Sequence, residues 1–352
     1  MLLNKTLESI GCLNEELMEK AQVRLDSLTK PLGSLGRLED MVKQIVGMTG
    51  KLYPSVDKKA VVIMCSDNGV VEEGISQAPK SVTSTVTANF TRGITGINVF
   101  ARHTGADIAV VDIGIESDVV FEGVLNRKIR KGTWNIAKGP AMTRDEAVAA
   151  IETGISIVRG LADKGLNLLG TGEMGIGNTT TSSAITAVLT GTEVQHVVGR
   201  GAGLSTEGLN KKVEVVQRAI EINRPDSNDP IDVLSKLGGF DIAGLTGCFL
   251  GAASCRVPIL IDGFISSVAA LVAMQIKPEA RSFMLPSHSS AEPGAKKVME
   301  HLGLEPLFNL GMRLGEGTGA ALAFHIVDAA IAAYTQMGTF DDANVTQYVP
   351  LV

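Results

Sequence analysis

Three glycine-rich stretches place acids or cations where a ligand could meet them. The first is residues 170–182, GTGEMGIGNTTTS. Glycines let a backbone approach an anion, a helix start offers unpaired N–H groups, and Thr and Ser hydroxyls add donors. The pattern predicts a phosphate cradle that also presents the Glu173 carboxylate. No Gly-Lys-Ser/Thr closes it, so it is not a Walker loop. The second, residues 198–204 (VGRGAGL), is followed by Lys212. Beside the first it could complete a phosphate site; alone it reads equally well as a helix-ending turn. The third, residues 313–319 (RLGEGTG), sets Glu316 between glycines at the start of a long apolar helix. Its carboxylate can enter a cleft unobstructed, and the dipole of that helix should favour the ionised form. The functional reading is a general base. Taken alone, the segment is better described as a first-turn Glu that complements the dipole.

Two further clusters are weaker. In residues 66–76 (SDNGVVEEGIS), acids could bind ribose hydroxyls and Ser76 could contact a base, while Glu72 and Glu73 read as solvated. Residues 286–292 (PSHSSAE) join Ser and His. Adjacent residues rarely point at each other and no GxSxG elbow is present, which argues against a hydrolase. Hydrogen bonding to a ligand, or helix capping by Ser290, is expected instead. His325, mid-helix among apolar residues, is expected in the core.

The elements that must carry these loops alternate. Residues 1–28 read as helical, and a second helix starts near Leu38. Residues 60–65, 107–113, 166–169, 258–261 and 282–285 read as short buried strands. Residues 84–101 and 318–336 read as helices, and Thr143 to Glu146 form a capping box. Repeated strand, loop and helix predicts an α/β fold, a Rossmann-like parallel sheet with helices on both faces. Ligands in such folds sit beyond the carboxyl ends of the strands.

Composition narrows the function classes. The chain has 352 residues, 45% of them hydrophobic, and a net charge of −6. Without a Lys/Arg block, nucleic acid is not an expected partner. The four cysteines form no CxxC pair and no zinc pattern, so neither metal nor cofactor is expected. The N-terminus lacks an apolar signal core, and the apolar stretch 257–276 is broken by Pro258, Asp262 and Gly263. A cytoplasmic protein that does not enter a membrane is expected. A nicotinamide-dependent oxidoreductase would need GxGxxG after the first strand, which is absent.

Taken together, residues 28–39 (LTKPLGSLGRLE) and the motifs SDNGVVEEGIS, GEMGIGNTTT, VGRGAGL, GGFDIAGLTG, PILIDGFISS, PSHSSAEPG and NLGMRLGEGTGAA resemble the nicotinate-nucleotide–dimethylbenzimidazole phosphoribosyltransferase family. The resemblance covers nearly the whole chain. It implies transfer of phosphoribose from nicotinate mononucleotide to 5,6-dimethylbenzimidazole, in assembly of the cobalamin lower ligand. It also implies a homodimer, with a small helical domain from 1–28 plus 337–352 and a large α/β domain over 29–336. By motif, Glu316 matches the general base and Glu173 a second active-site carboxylate. Gly175, Gly177, Asn178, Thr179, Gly201, Gly203 and Lys212 match the phosphoribosyl site, and Ser76 and Leu314 the base pocket. Ser84 stands where some members carry glutamine.

Overall fold

A computed structural model describes residues 1–118, 120–201 and 203–347. Ala202 of the second glycine loop and the last five residues of the expected small helical domain lie outside the described residues. Six strands form one parallel sheet in the order β3-β2-β1-β4-β5-β6. They are β1 (Lys59–Ser66), β2 (Asp107–Gly114), β3 (Leu125–Asn126), β4 (Leu168–Met174), β5 (Ile259–Ile261) and β6 (Met284–Pro286). The chain runs outward from β1 to β3, then returns to place β4 on the other side of β1. Neighbouring connections therefore diverge above β1 and β4, and a crevice opens there.

Helices cover the sheet. In the first half they are α1 (Leu2–Ser9), α2 (Glu15–Ser27), α3 (Arg37–Thr49), α4 (Val82–Thr91), α5 (Gly96–Thr104), α6 (Arg144–Ala162) and α7 (Asn178–Thr190). Then follow α8 (Val194–Val197), α9 (Thr206–Asn223), α10 (Pro230–Leu237), α11 (Phe240–Ser254), α12 (Phe264–Ile276), α13 (Pro293–Leu302), α14 (Thr318–Gln336) and α15 (Phe340–Ala343). Two expected helices are each split. Residues 10–14 separate α1 from α2, where Asn14 caps the new helix. Gly93, at φ 73°, and the Thr95 capping box separate α4 from α5. The strand expected at 166–169 is shifted and longer, so Glu173 stands on β4 itself.

The two faces of the sheet are built differently. On one, Gly244 of α11 packs on Ile113 and Met64, and α11 crosses α6 with Gly154 and Gly247 at the contact. On the other, Gly170 of β4 faces Ala320 and Phe324 of α14. A Cβ at Gly172 would collide with the Glu316 carbonyl. Two glycines of the first motif thus serve close approach of α14, not phosphate binding. Helix α14 is long and apolar enough to cross a membrane, but more than half of it is buried against protein. His325 is exposed on it, edge to face with His103 of α5 at 4.9 Å, and not in the core. The chain ends meet: Leu28 bridges Thr339, and Arg24 donates to the Met337 carbonyl.

Candidate active site

The crevice holds a cavity of about 290 Å³ walled by the segments that follow β1, β4, β5 and β6 and by the turn before α14. It collects Ser76, Glu173, Gly175, Gly177, Asn178, Thr179, Gly201, Lys212, Leu314 and Glu316. Gly203, at φ 116°, stands outside the lining; its N–H donates to the Arg200 carbonyl at 3.0 Å. Ser84 is also outside; its hydroxyl donates to the Ser81 carbonyl, and Val86 takes the place on the wall.

One end of the cavity is cationic. Helix α7 starts at Gly177, whose φ of 93° no ordinary residue adopts cheaply. Thr179 is therefore in the first turn. The Lys212 side chain comes across from α9, 1% exposed, and its Nζ donates to Thr179 Oγ1 at 2.8 Å and to the Gly199 carbonyl at 3.2 Å. Burial lowers its pKa to about 8, against the pull of Glu292. Arg200 closes the second glycine loop by donating to the Leu204 carbonyl, and Arg313 and Arg200 both line the cavity. An ammonium fixed by a hydroxyl and a carbonyl, beside the start of a helix, is a fitting seat for a phosphate.

The other end is acidic. Glu316 adopts φ 62°, between Gly315 and Gly317, which are also left-handed. Its Oε2 accepts from the Ile97 N–H at 3.1 Å, at the start of α5. Burial raises its pKa and the α5 donors oppose this. The expectation that the α14 dipole holds this carboxylate is thus corrected. That helix start is already filled by Asp262, the residue after β5. Asp262 accepts from the N–H groups of Gly317 at 3.2 Å, Gly319 at 2.7 Å and Ala320 at 3.1 Å. Burial raises the Asp262 pKa, and His288 and these three N–H donors pull against it. Glu173 points to the α11 side. Its Oε2 accepts from Asn178 Nδ2, and its Oε1 rests against Gly315.

Sequence reasoning missed Asp262, and it gave His288 no fixed part. His288 is buried on the cavity wall, beside Ser287 and stacked on Phe308. Ser290 does not cap a helix; α13 starts at Glu292 with no side-chain cap. Glu72 and Glu73 are ion-paired, to Lys138 and Arg218, not simply solvated.

Comparison with known proteins gives the family. The family described as Phosphoribosyltransferase matches residues 10–345. Nicotinate-nucleotide–dimethylbenzimidazole phosphoribosyltransferase of Acetivibrio thermocellus is 66% identical over 351 residues, the full length of both chains. The protein of the same name from Clostridium acetobutylicum is 60% identical, again over the full length of both. A crystal structure of the Thermus thermophilus enzyme of that name superposes with a TM-score of 0.90 at 38% identity, covering 96% of this chain and 100% of that one. The chain belongs to the nicotinate-nucleotide–dimethylbenzimidazole phosphoribosyltransferase family of pentosyltransferases.

Proposed function

We propose that the chain moves the phosphoribosyl group of nicotinate mononucleotide onto 5,6-dimethylbenzimidazole, releasing nicotinate and α-ribazole 5′-phosphate. The supporting observation is the division of polar groups within one cavity: Lys212 with Thr179 in one part, the Asp262 and Glu316 carboxyl groups in another. Nicotinate mononucleotide carries the matching pattern, an anionic phosphate and a cationic ring nitrogen joined through ribose. Seated this way, its anomeric carbon lies between the two ends.

The acceptor attacks that carbon through its unprotonated ring nitrogen as the bond to nicotinate breaks, and the bonding pair leaves on the nicotinate nitrogen. Inversion converts a β linkage to an α linkage in one displacement. The acceptor's other nitrogen then becomes acidic, and its proton passes to Glu316 and on to solvent. A carboxylate whose pKa is raised by burial is a better base than an ordinary one, since it holds the proton more tightly. Positive charge developing on the ribose would be stabilised by the nearby Glu316 carboxylate. Ser76 and Leu314, with Val86, border the place for the heterocycle. The same reading makes the protein a homodimer and treats its chain ends as a small helical unit.

The test offers nicotinate mononucleotide with competing bases, dimethylbenzimidazole, unsubstituted benzimidazole, adenine and phenol, and identifies the ribosides by chromatography. A dominant α-riboside of dimethylbenzimidazole is expected. Nucleotide binding without any new riboside would replace the enzyme with a binding protein.

A further inference from the structure

Glu173 is not alone on its side of the sheet. The amide of Asn178, the first residue of α7, reaches two carboxyl groups at once. Its Nδ2 donates to Glu173 Oε2 and, at 3.0 Å, to Asp241 Oδ2. Asp241 lies in the first turn of α11, is 0% exposed, and its other oxygen accepts from the Ile242 N–H at 3.0 Å. It does not line the cavity. Two carboxyl groups bridged by a single neutral amide nitrogen do not both ionise readily. The donors divide them. Asp241 has two N–H partners and a place at a helix N-terminus, which stabilise an anion. Glu173 has the shared amide on Oε2, while its Oε1 rests against Gly315.

We propose that Asp241 is a positioning residue for the transfer reaction: joined to Glu173 through the Asn178 amide, it keeps a proton on Glu173 Oε1, so that Glu173 meets the substrate as a neutral hydrogen-bond donor while Glu316 remains the base. The inference rests on the transferase reading and assigns the second carboxyl of that site a state and a task. The natural acceptor is a ribose hydroxyl oxygen, and Glu173 keeps its proton through the cycle. Burial and then Asp241 push the Glu173 carboxyl up to about 8, while burial raises Asp241 only to about 6, which fits one proton divided this way. The groups facing Glu173 are Asp241 from α11, Asp262 after β5, Glu316 before α14 and the Cys65 thiol on β1, which burial keeps neutral. Lys212 stands at the far end of the cavity.

The test has two readings. In wild type, kcat at saturating nucleotide and base should fall as pH rises through about 8, when Glu173 loses its proton. In D241N, or in D241S should the first variant not fold, a negative neighbour is gone and the fall should begin about one pH unit lower. E173Q should show no such fall at all. Lys212 titrates in the same range, but it acts on nucleotide binding and so appears in the nucleotide KM, not in saturated kcat. Independently of turnover, infrared titration should show a protonated carboxyl band at neutral pH that is absent in E173Q and titrates lower in D241N. An alkaline fall unmoved in a folded Asp241 variant, or a carboxyl band that survives E173Q, overturns the proposal. The infrared reading needs no substrate, so failure of the transfer assay and failure of this assignment are separate results.

Discussion

Helices α7 and α14 begin alike and end up with opposite uses. Each starts at a left-handed glycine without a side-chain cap, Gly177 at φ 93° and Gly317 at φ 94°. Each follows an acid with glycine beside it, Glu173 after Gly172 and Glu316 between Gly315 and Gly317. At α14 the free N–H groups are already taken by the Asp262 carboxylate. At α7 the neighbours are Thr179 and the buried Lys212. The second helical position makes the contrast concrete. It is Gly319 in α14, where a Cβ would overlap His288 Nδ1 and stand 2.9 Å from Asp262 Oδ1. It is Thr179 in α7, whose hydroxyl faces Lys212. One helix start is plugged by an internal carboxyl group and becomes scaffold; the other carries the hydroxyl and lysine of the proposed phosphate site.

The contrast can be broken from either side. The largest effect should come from E316Q, on the turn that the plugged helix holds: kcat should drop by about 10²–10⁴ with nucleotide affinity nearly intact. Near-normal turnover would remove Glu316 from the role of base. Next, K212A at the open helix should raise the nucleotide KM by about 10–150-fold, the equivalent of about 1.5–3 kcal/mol for a hydrogen bond to a charged group. A change confined to the KM of the base would put the phosphate elsewhere. The same lysine gives a pH test. Its folded pKa is depressed to about 8, so the cation proposed to hold phosphate is present below that value and is lost as pH rises through it. The nucleotide KM should climb on that side, and the climb should vanish in K212A. The mildest effect expected is that of G319A, which forces a methyl group onto His288 and costs about 1–3 kcal/mol of stability. Calorimetry should find a lower Tm with little change in the nucleotide KM; an unchanged Tm would mean that the plugged helix start is loosely packed.

How much of this was legible follows the length of chain each feature spans. The glycine loops after strands, the parallel sheet and the hydroxyl-rich start of α7 are local patterns, and they mark the cavity that Glu173, Thr179 and Lys212 line. Glu316 could be singled out by its glycine neighbours, but not its partner: Ile97 lies 219 positions away. The local rule pointed to the dipole of its own helix, and a residue 55–58 positions upstream had filled that place. Asp241 and Asp262 were hidden for the same reason, since an acid at the end of a strand or the start of a helix gives no sign of what it will face. The glycines of residues 170–177 read as one cradle because spacing does not tell a strand from a loop. Only β4 running to Met174 separates Gly170 and Gly172, which admit α14, from Gly175 and Gly177, which border the cavity.

Glu316 is a bulky acid in a backbone region where an L-residue costs about 1–2 kcal/mol relative to its usual conformations. Glycine or asparagine would sit there more comfortably, yet neither could accept a proton. The fold is thus less robust than its own scaffold would allow, and the deficit is concentrated on one residue. Selection for heat resistance alone would press on that position first, and any variant it favoured there would be a sturdier protein without the base proposed for it.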